Sequence, residues 1–395
     1  MLFYCSILFI PFLHIFGFYG ISVPLTFCSI AVFSMILYRG KETVISFNLI
    51  DFFLIIFLLL GIISINMAKI AIPNFGHVFL WLTSISIFYF GTKILIINSN
   101  INFNKLKLIF FVGLCITSSG VIIEFVTANF FGFYLSEVLP YSIGEMEATK
   151  NFSGNLFRVR GFSAEPGFTA MVYEFLFPLG LLYCYKKPST YPILFFILFG
   201  YFILTSAASL IILFFIISIF LIRSNLKNFF KILFYLFLLT LVFYNQVAFY
   251  LIESLGPKLI LVLTGESIRF ELINSLLNIF IENPLGIGFG TQSYYFEALG
   301  SYQGIILPGG GALNLYLEIA ISSGFLGLIS FLIFIVCIVF QTLQHDKTPE
   351  RDALMFSFLW LLGHHLFLTE YYFPMIWISM AILNTYSFIE KKQEI

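Results

Sequence analysis

YPILFFILFGYFILTSAASLIILFFIISIFLI, Tyr191 to Ile222, runs for 32 residues without one charged side chain. As a single helix it would measure about 48 Å at 1.5 Å per residue, against roughly 30 Å of hydrocarbon in a bilayer. The polar break TSAAS, Thr205 to Ser209, predicts a tight hairpin between two short spans. The same character extends outward in both directions. Of 395 residues, 60% are hydrophobic and 10% charged, where an average soluble domain has about 25% charged residues. A water-soluble fold of this size cannot hide that much apolar surface, so the bilayer must be the solvent. Backbone in hydrocarbon has to satisfy its own hydrogen bonds, and long apolar runs therefore read as helices. The expectation is an all-α polytopic integral membrane protein, a single membrane domain over 1–395.

Apolar runs lie near 2–18, 20–38, 48–66, 78–98, 106–126, 167–185, 191–205, 207–222, 232–252, 324–341, 353–369 and 374–389, about twelve transmembrane helices. Residues 1–18 lack a basic leading region and a small-residue cleavage site, and are expected to form a first span rather than a removed signal. With both termini cytoplasmic, fourteen of the 20 basic residues face inward, among them Arg39, Lys93, Lys107, Arg351 and the terminal Lys391-Lys392, which satisfies the positive-inside rule. Two long polar segments, 127–166 and 253–323, then fall outside, while the inward connections are short. The chemistry is expected in those outer loops. The five cysteines all lie in apolar spans with no CxxC pair, so neither a metal site nor a disulfide framework is expected.

The first outer loop ends in NLFRVRGFSAEPGFTAMVYEF, Asn155 to Phe175. Arginine offers a fixed fork of donors that matches phosphate oxygens and keeps its charge. Arg158 and Arg160, at the membrane surface, suit a lipid-linked phosphate; lipid headgroups are the plainer ligand. Glu165-Pro166-Gly167 is a helix entry with proline near the first position, and Glu165 sits where a carboxylate is stabilised by the helix dipole. The second loop holds SIRFELINSLLNIFIEN, Ser267 to Asn283, whose polar residues gather on one arc at helical spacing. It predicts an amphipathic helix at the membrane surface, with Arg269 inside the apolar arc, either paired with an anion or snorkelling from the first turn.

Asn283-Pro284 stops that helix, and Gly286, Gly288 and Gly290 alternate behind it. Their backbone N–H groups are candidates to line an anion site. GxGxG without a following Gly-Lys-Ser/Thr is no P-loop, so no nucleotide or nucleic-acid partner is expected. Asn314 and Glu318 are one turn apart on the next helix and either face a common cavity or serve capping and packing. His364 and His365 lie in the outer half of the eleventh span near Glu370; an imidazole there, His365, is a candidate general base or sugar-hydroxyl partner, with a satisfied membrane histidine as the alternative. Asp51, Glu124 and Glu174 are carboxylates in or at the ends of spans, the groups a proton-coupled transporter would keep.

The two long outer loops, Arg160-Gly161 followed by Glu165-Pro166 at the sixth span, and the ordered series R…NPLGIGFG…NLYLEI…SGFLG from Arg269 to Gly327 together resemble the O-antigen polymerase and ligase superfamily of bacterial envelopes. The architectural likeness covers most of the chain; the specific motifs cover about 155–175 and 265–330. In ligase-like members a histidine commonly precedes the asparagine of the last motif, whereas here Leu313 precedes Asn314, which argues against a ligase. The resemblance implies a bacterial inner-membrane polymerase joining undecaprenyl-diphosphate-linked oligosaccharide repeat units at the outer face of that membrane, with O-antigen or capsular polysaccharide as product. An already activated donor needs no cofactor. Arg158, Arg160 and Arg269 would hold diphosphate, Glu165 would activate or position the acceptor, and Gly288, Asn314 and Glu318 would line the sugar. Membrane lipid and a chain-length regulator are the implied partners. A lipid-linked oligosaccharide flippase is the alternative from another class.

Overall fold

A computed structural model describes residues 1–13, 22–65, 75–99, 101–135, 139, 152–153, 156–157, 159–163, 165–184, 187–204, 209, 212–213, 268–289, 314–368 and 373–391. These are mostly helical. The spans expected at 207–222 and 232–252 lie essentially outside the described residues, as do Arg158, Gly290 and Glu370. In chain order the helices are α1 (Leu2–Leu8), α2 (Val23–Arg39), α3 (Leu49–Ile65), α4 (Phe75–Ser84), α5 (Thr92–Asn98), α6 (Phe103–Phe131), α7 (Pro166–Cys184), α8 (Tyr191–Ile203), α9 (Ile268–Glu282), α10 (Leu315–Gln344), α11 (Pro349–His364), α12 (Pro374–Asn384) and α13 (Tyr386–Lys391). A π-helical stretch, Ile85–Gly91, joins α4 to α5. Among the described residues the only β structure is a two-residue antiparallel pair, Phe152–Ser153 with Leu156–Phe157.

Local sequence marks most of these boundaries. Ser22 caps α2 through the Leu25 amide, Asn102 caps α6 through Lys105, and Thr348 caps α11 through Arg351. Each oxygen takes up one of the amide protons a helix start leaves unbonded. Proline opens α7, α11 and α12, where its missing N–H costs nothing. Four helical stretches, Val78–Asn98, Phe103–Phe131, Pro166–Cys184 and Leu315–Gln344, are long and apolar enough to cross a membrane, and several shorter apolar helices accompany them.

Helix α6 is the backbone of the packing. Gly113, Thr117, Gly120 and Glu124 recur at helical spacing and form one narrow face. Leu176 of α7 settles over Gly113, and Phe162, just ahead of α7, covers Gly120. The facing stripe of α7 is Thr169, Tyr173, Leu176 and Gly180. Tyr173 donates to Ser118 Oγ at 2.8 Å, and Gly180 admits Leu114. Small residues let two helices approach where lipid supplies no hydrophobic drive to hold them together.

Helix α10 departs from a simple span. The sequence placed a membrane helix from 324 and a separate helix around Asn314 and Glu318. The structure joins the two across a break at Gly324, whose φ of 72° and ψ of −175° are non-helical. The segment Pro284–Phe289, behind α9, lies in that notch. Ile287 N–H donates to the Ile321 carbonyl at 2.8 Å and Gly288 N–H to Ser322 at 3.0 Å, while Phe325 N–H donates back to Pro284 at 2.9 Å. Irregular backbone in a membrane protein survives where protein covers it and satisfies its polar groups. Phe289 anchors the insertion, fully buried and stacked on Trp81 at 4.0 Å between ring centroids.

Candidate functional site

The loop leading into α7 is held from below by a carboxylate on α6. Glu124 Oε2 accepts the backbone N–H of Arg160 at 2.6 Å and of Gly161 at 2.7 Å. Its other oxygen, Oε1, lies 3.7 Å from Arg160 Nε. Thr169 of α7 donates its hydroxyl to the Arg160 carbonyl. The Arg-Gly turn is thus fixed to both helices at once, and Gly161 takes the left-handed φ of 61° that lets the chain reverse there. Arg160 itself is buried, and Glu165, two residues beyond the turn's end, is half-buried. The Glu165 carbonyl accepts from Phe168 and Thr169, closing the first turn of α7 behind Pro166.

The opposite face of α7 meets α11. Gly167 and Glu174, seven residues apart, share that face. Glu174 Oε1 lies 2.6 Å from His364 Nδ1, and both side chains are almost completely buried. Ser357 donates to the carbonyls of Glu174 and Phe175 at 2.8 and 3.0 Å, locking the two helices in register. At Gly167 a methyl group in place of the hydrogen would stand 3.9 Å from His364 Nε2, so the ring's second nitrogen points toward the first turn of α7. His365, the neighbouring imidazole, turns elsewhere. Its Nδ1 lies 2.7 Å from the carbonyl of Leu361, one turn back on its own helix. A carbonyl can only accept, so the His365 proton sits on Nδ1.

The short arm of α10 docks onto the same place. Leu315 N–H lies within reach of the carbonyls of His365 at 2.9 Å and Leu368 at 3.1 Å, and Tyr316 donates its hydroxyl to Leu362 at 2.8 Å. Asn314 is the cap of this arm. Its Oδ1 accepts from Leu317 at 3.0 Å and its Nδ2 donates to Leu366 at 3.0 Å, so of the two roles open to it in the sequence, the side chain performs capping. Glu318 is buried on the arm's first turn.

The start of α7, the end of α11 and the start of α10 therefore converge, bringing Arg160, Glu165, His364, His365 and Asn314 to one end of the bundle. Gly288 does not join them as an anion donor. Its positive φ of 98° suits the glycine, but its N–H is bonded to Ser322, and the Gly286 N–H goes to Asn283 at 2.9 Å. Gly286 and Gly288 serve the wedge in α10. Arg269 is the second residue of α9, an observed helix at the position the polar arc predicts; its side chain lies outside the described residues, as does Arg158.

Two pairings escaped the sequence. Glu124 with the Arg160 turn, and Glu174 with His364, join residues 36 and 190 positions apart, and no local spacing encodes either. The intramembrane charge supplied the available signal, because an ionised group in a span needs a partner. The third such carboxylate, Asp51, is paired at the far end of the bundle with Lys93. Among the described residues no group of three or more His, Cys, Asp or Glu is placed to hold a metal ion. Comparison with family models, curated proteins and solved structures yields no match for the chain.

Proposed function

We propose that this is a polytopic membrane glycosyltransferase of about twelve spans, both termini cytoplasmic, that polymerises oligosaccharide units carried on undecaprenyl diphosphate at the outer face of a bacterial inner membrane. One observation carries the reading: the Arg160–Glu165 turn is bolted to α6 and α7 and shares its end of the bundle with the histidine pair. The opposite end holds Lys93, Lys107 and Arg351, near the boundaries that the positive-inside rule assigns to the cytoplasm. An arginine-bearing turn at that end of the bundle, held rigid and next to buried imidazoles, suits a diphosphate leaving group beside an acceptor hydroxyl.

In this reading a hydroxyl of the incoming unit attacks the anomeric carbon at the reducing end of the growing chain, and lipid diphosphate departs. Arg160, with Arg158 and Arg269, stabilises negative charge as it builds on the diphosphate oxygens. Glu165 positions the acceptor sugar. Glu124 and Glu174, which a proton-coupled transporter would need free to load and unload, are each tied to a named partner in the fold, and this favours the enzyme over the flippase.

The deciding measurement is an envelope-polysaccharide gel from a strain lacking the gene, complemented with wild type, Arg160→Ala or Arg160→Lys. Loss of the long ladder with retention of a single repeat unit on the lipid core, so that export and ligation still work, identifies polymerisation as the missing step. Loss of that single unit as well rejects the polymerase, and the side of the membrane on which lipid-linked sugar then accumulates separates flippase from ligase. Arg160→Lys keeps the charge and loses the two-pronged donor. It is expected to shorten chains nearly as much as Arg160→Ala, and wild-type lengths in the lysine variant would remove the bidentate argument.

A further inference from the structure

Glu174 and His364 form the one carboxylate–imidazole pair among the described residues that lies at the Arg160–Glu165 end of the bundle. Its geometry is directional. A carboxylate at 2.6 Å from Nδ1 holds the ring proton there, which leaves Nε2 as the basic nitrogen of a neutral imidazole. Nε2 faces the first turn of α7 at Gly167, where a Cβ would stand 3.9 Å from it and 3.2 Å from the Leu368 side chain that covers the same spot, and Glu165 borders that turn. Glu174 is in turn fixed by its helix: Ser357 ties the carbonyls at 174 and 175 to α11. The arrangement has the parts of an oriented general base, a nitrogen aimed at one spot, a carboxylate behind it and a rigid support. His365 is held differently, its Nδ1 bonded to the Leu361 carbonyl of its own helix where His364 has a carboxylate.

We infer that His364, oriented by Glu174, is the base that takes the proton from the acceptor sugar hydroxyl, replacing His365 in that role. The inference rests on the polymerase reading above and names a catalytic residue and a positioning residue for it. In the step, the hydroxyl oxygen forms the new bond to the anomeric carbon and its proton passes to His364 Nε2. The bond from the anomeric carbon to the diphosphate oxygen breaks, and its electron pair leaves with the lipid diphosphate. The imidazolium then stands against the Glu174 carboxylate until it releases the proton to water. No other reactant is required.

The test uses the full-length protein in lipid nanodiscs with a synthetic lipid-diphosphate oligosaccharide, following chain growth by gel. His364→Gln is expected to lower kcat by about 100-fold or more, the usual worth of a general base, with KM within about threefold of wild type because the diphosphate contacts remain. Glu174→Gln keeps shape and a hydrogen-bond acceptor but loses the charge behind the ring. It is expected to lower kcat about tenfold at unchanged KM, and the double variant to be no slower than His364→Gln alone, since the two residues act as a unit. A folded His364→Gln protein elongating within about fivefold of wild type overturns the assignment. Should that variant fail to fold, Glu174→Gln decides, and an unchanged kcat there is equally fatal. Wild-type protein that elongates while these variants do likewise removes only the base; wild-type protein that never elongates removes the polymerase and the base together.

Discussion

Glu124 does the work of a cap for a turn that has no helix of its own to complete. One oxygen takes two backbone N–H groups, from Arg160 and Gly161, and the other stands near the Arg160 guanidinium. Alanine at 124 would leave two buried amide protons without an acceptor and a buried guanidinium without its nearby carboxylate. Each unsatisfied group costs about 1–3 kcal/mol, so Glu124→Ala is expected to destabilise by about 2–5 kcal/mol. Glu124→Gln retains an acceptor oxygen for the two amides and is expected to recover more than half of that. Thermal unfolding of purified protein in detergent measures both, and equal losses in the two variants would mean that charge alone, not acceptance from the turn, is what Glu124 supplies. Residue-level roles of this kind were only half legible in the sequence. A glutamate inside an apolar helix announces that it needs a partner; which of the distant polar groups comes to it depends on how α6 and α7 pack, and that is settled by Gly113, Gly120 and Gly180, whose small size says nothing of which group will arrive.

Among the elements, the broken α10 shows where sequence reading runs out. The amphipathic helix α9 and its stop at Asn283-Pro284 follow from periodicity and from proline's missing donor, and they lie where the sequence places them. The entry of α7 at Pro166 does too. The arm Leu315–Ser323 and the wedge Pro284–Phe289 do not, because Gly324 in an apolar run reads as the start of a span, whereas its positive φ belongs to a notch made by a segment some forty residues upstream. The wedge is pinned by Phe289, which fills the space over Gly61. A methyl group at Gly61 would come within 2.3 Å of Phe289 Cε2 and 2.8 Å of Trp81. Gly61→Ala is therefore expected to destabilise by about 1–3 kcal/mol through overpacking. Combining it with Phe289→Leu is expected to cost less than the sum of the two single changes, a coupling above about 0.5 kcal/mol. Strict additivity in a double-mutant cycle would mean that Phe289 does not occupy that space.

The molecule as a whole is polarised, with the Arg160–His364 constellation at one end and a saturated polar cluster at the other. There Asp51, at the start of α3, accepts from Tyr89 at 2.8 Å, from Asn384 at 3.2 Å and from the Asn48 backbone at 2.8 Å, and pairs with Lys93. Asn48 donates in turn to Asn384 at 2.6 Å. The cluster joins α3, the continuous π-helical stretch and α5, and α12, three pieces that are far apart in sequence. Breaking a buried ion pair by removing one partner costs about 3–5 kcal/mol, whereas replacing both by neutral groups of similar size is often close to neutral. Lys93→Met is thus expected to destabilise by about that amount, and Asp51→Asn with Lys93→Met by much less. The double variant also separates the two functional classes. An enzyme working at the far end needs this cluster only as a fastener, so the neutral pair is expected to give long polysaccharide chains in proportion to the amount of folded protein in the membrane. A proton-coupled transporter using Asp51 would instead lose export with its fold intact. Measuring chain length against membrane abundance in the double variant distinguishes a fastener from a proton carrier, and a well-folded but inactive protein would count against the polymerase.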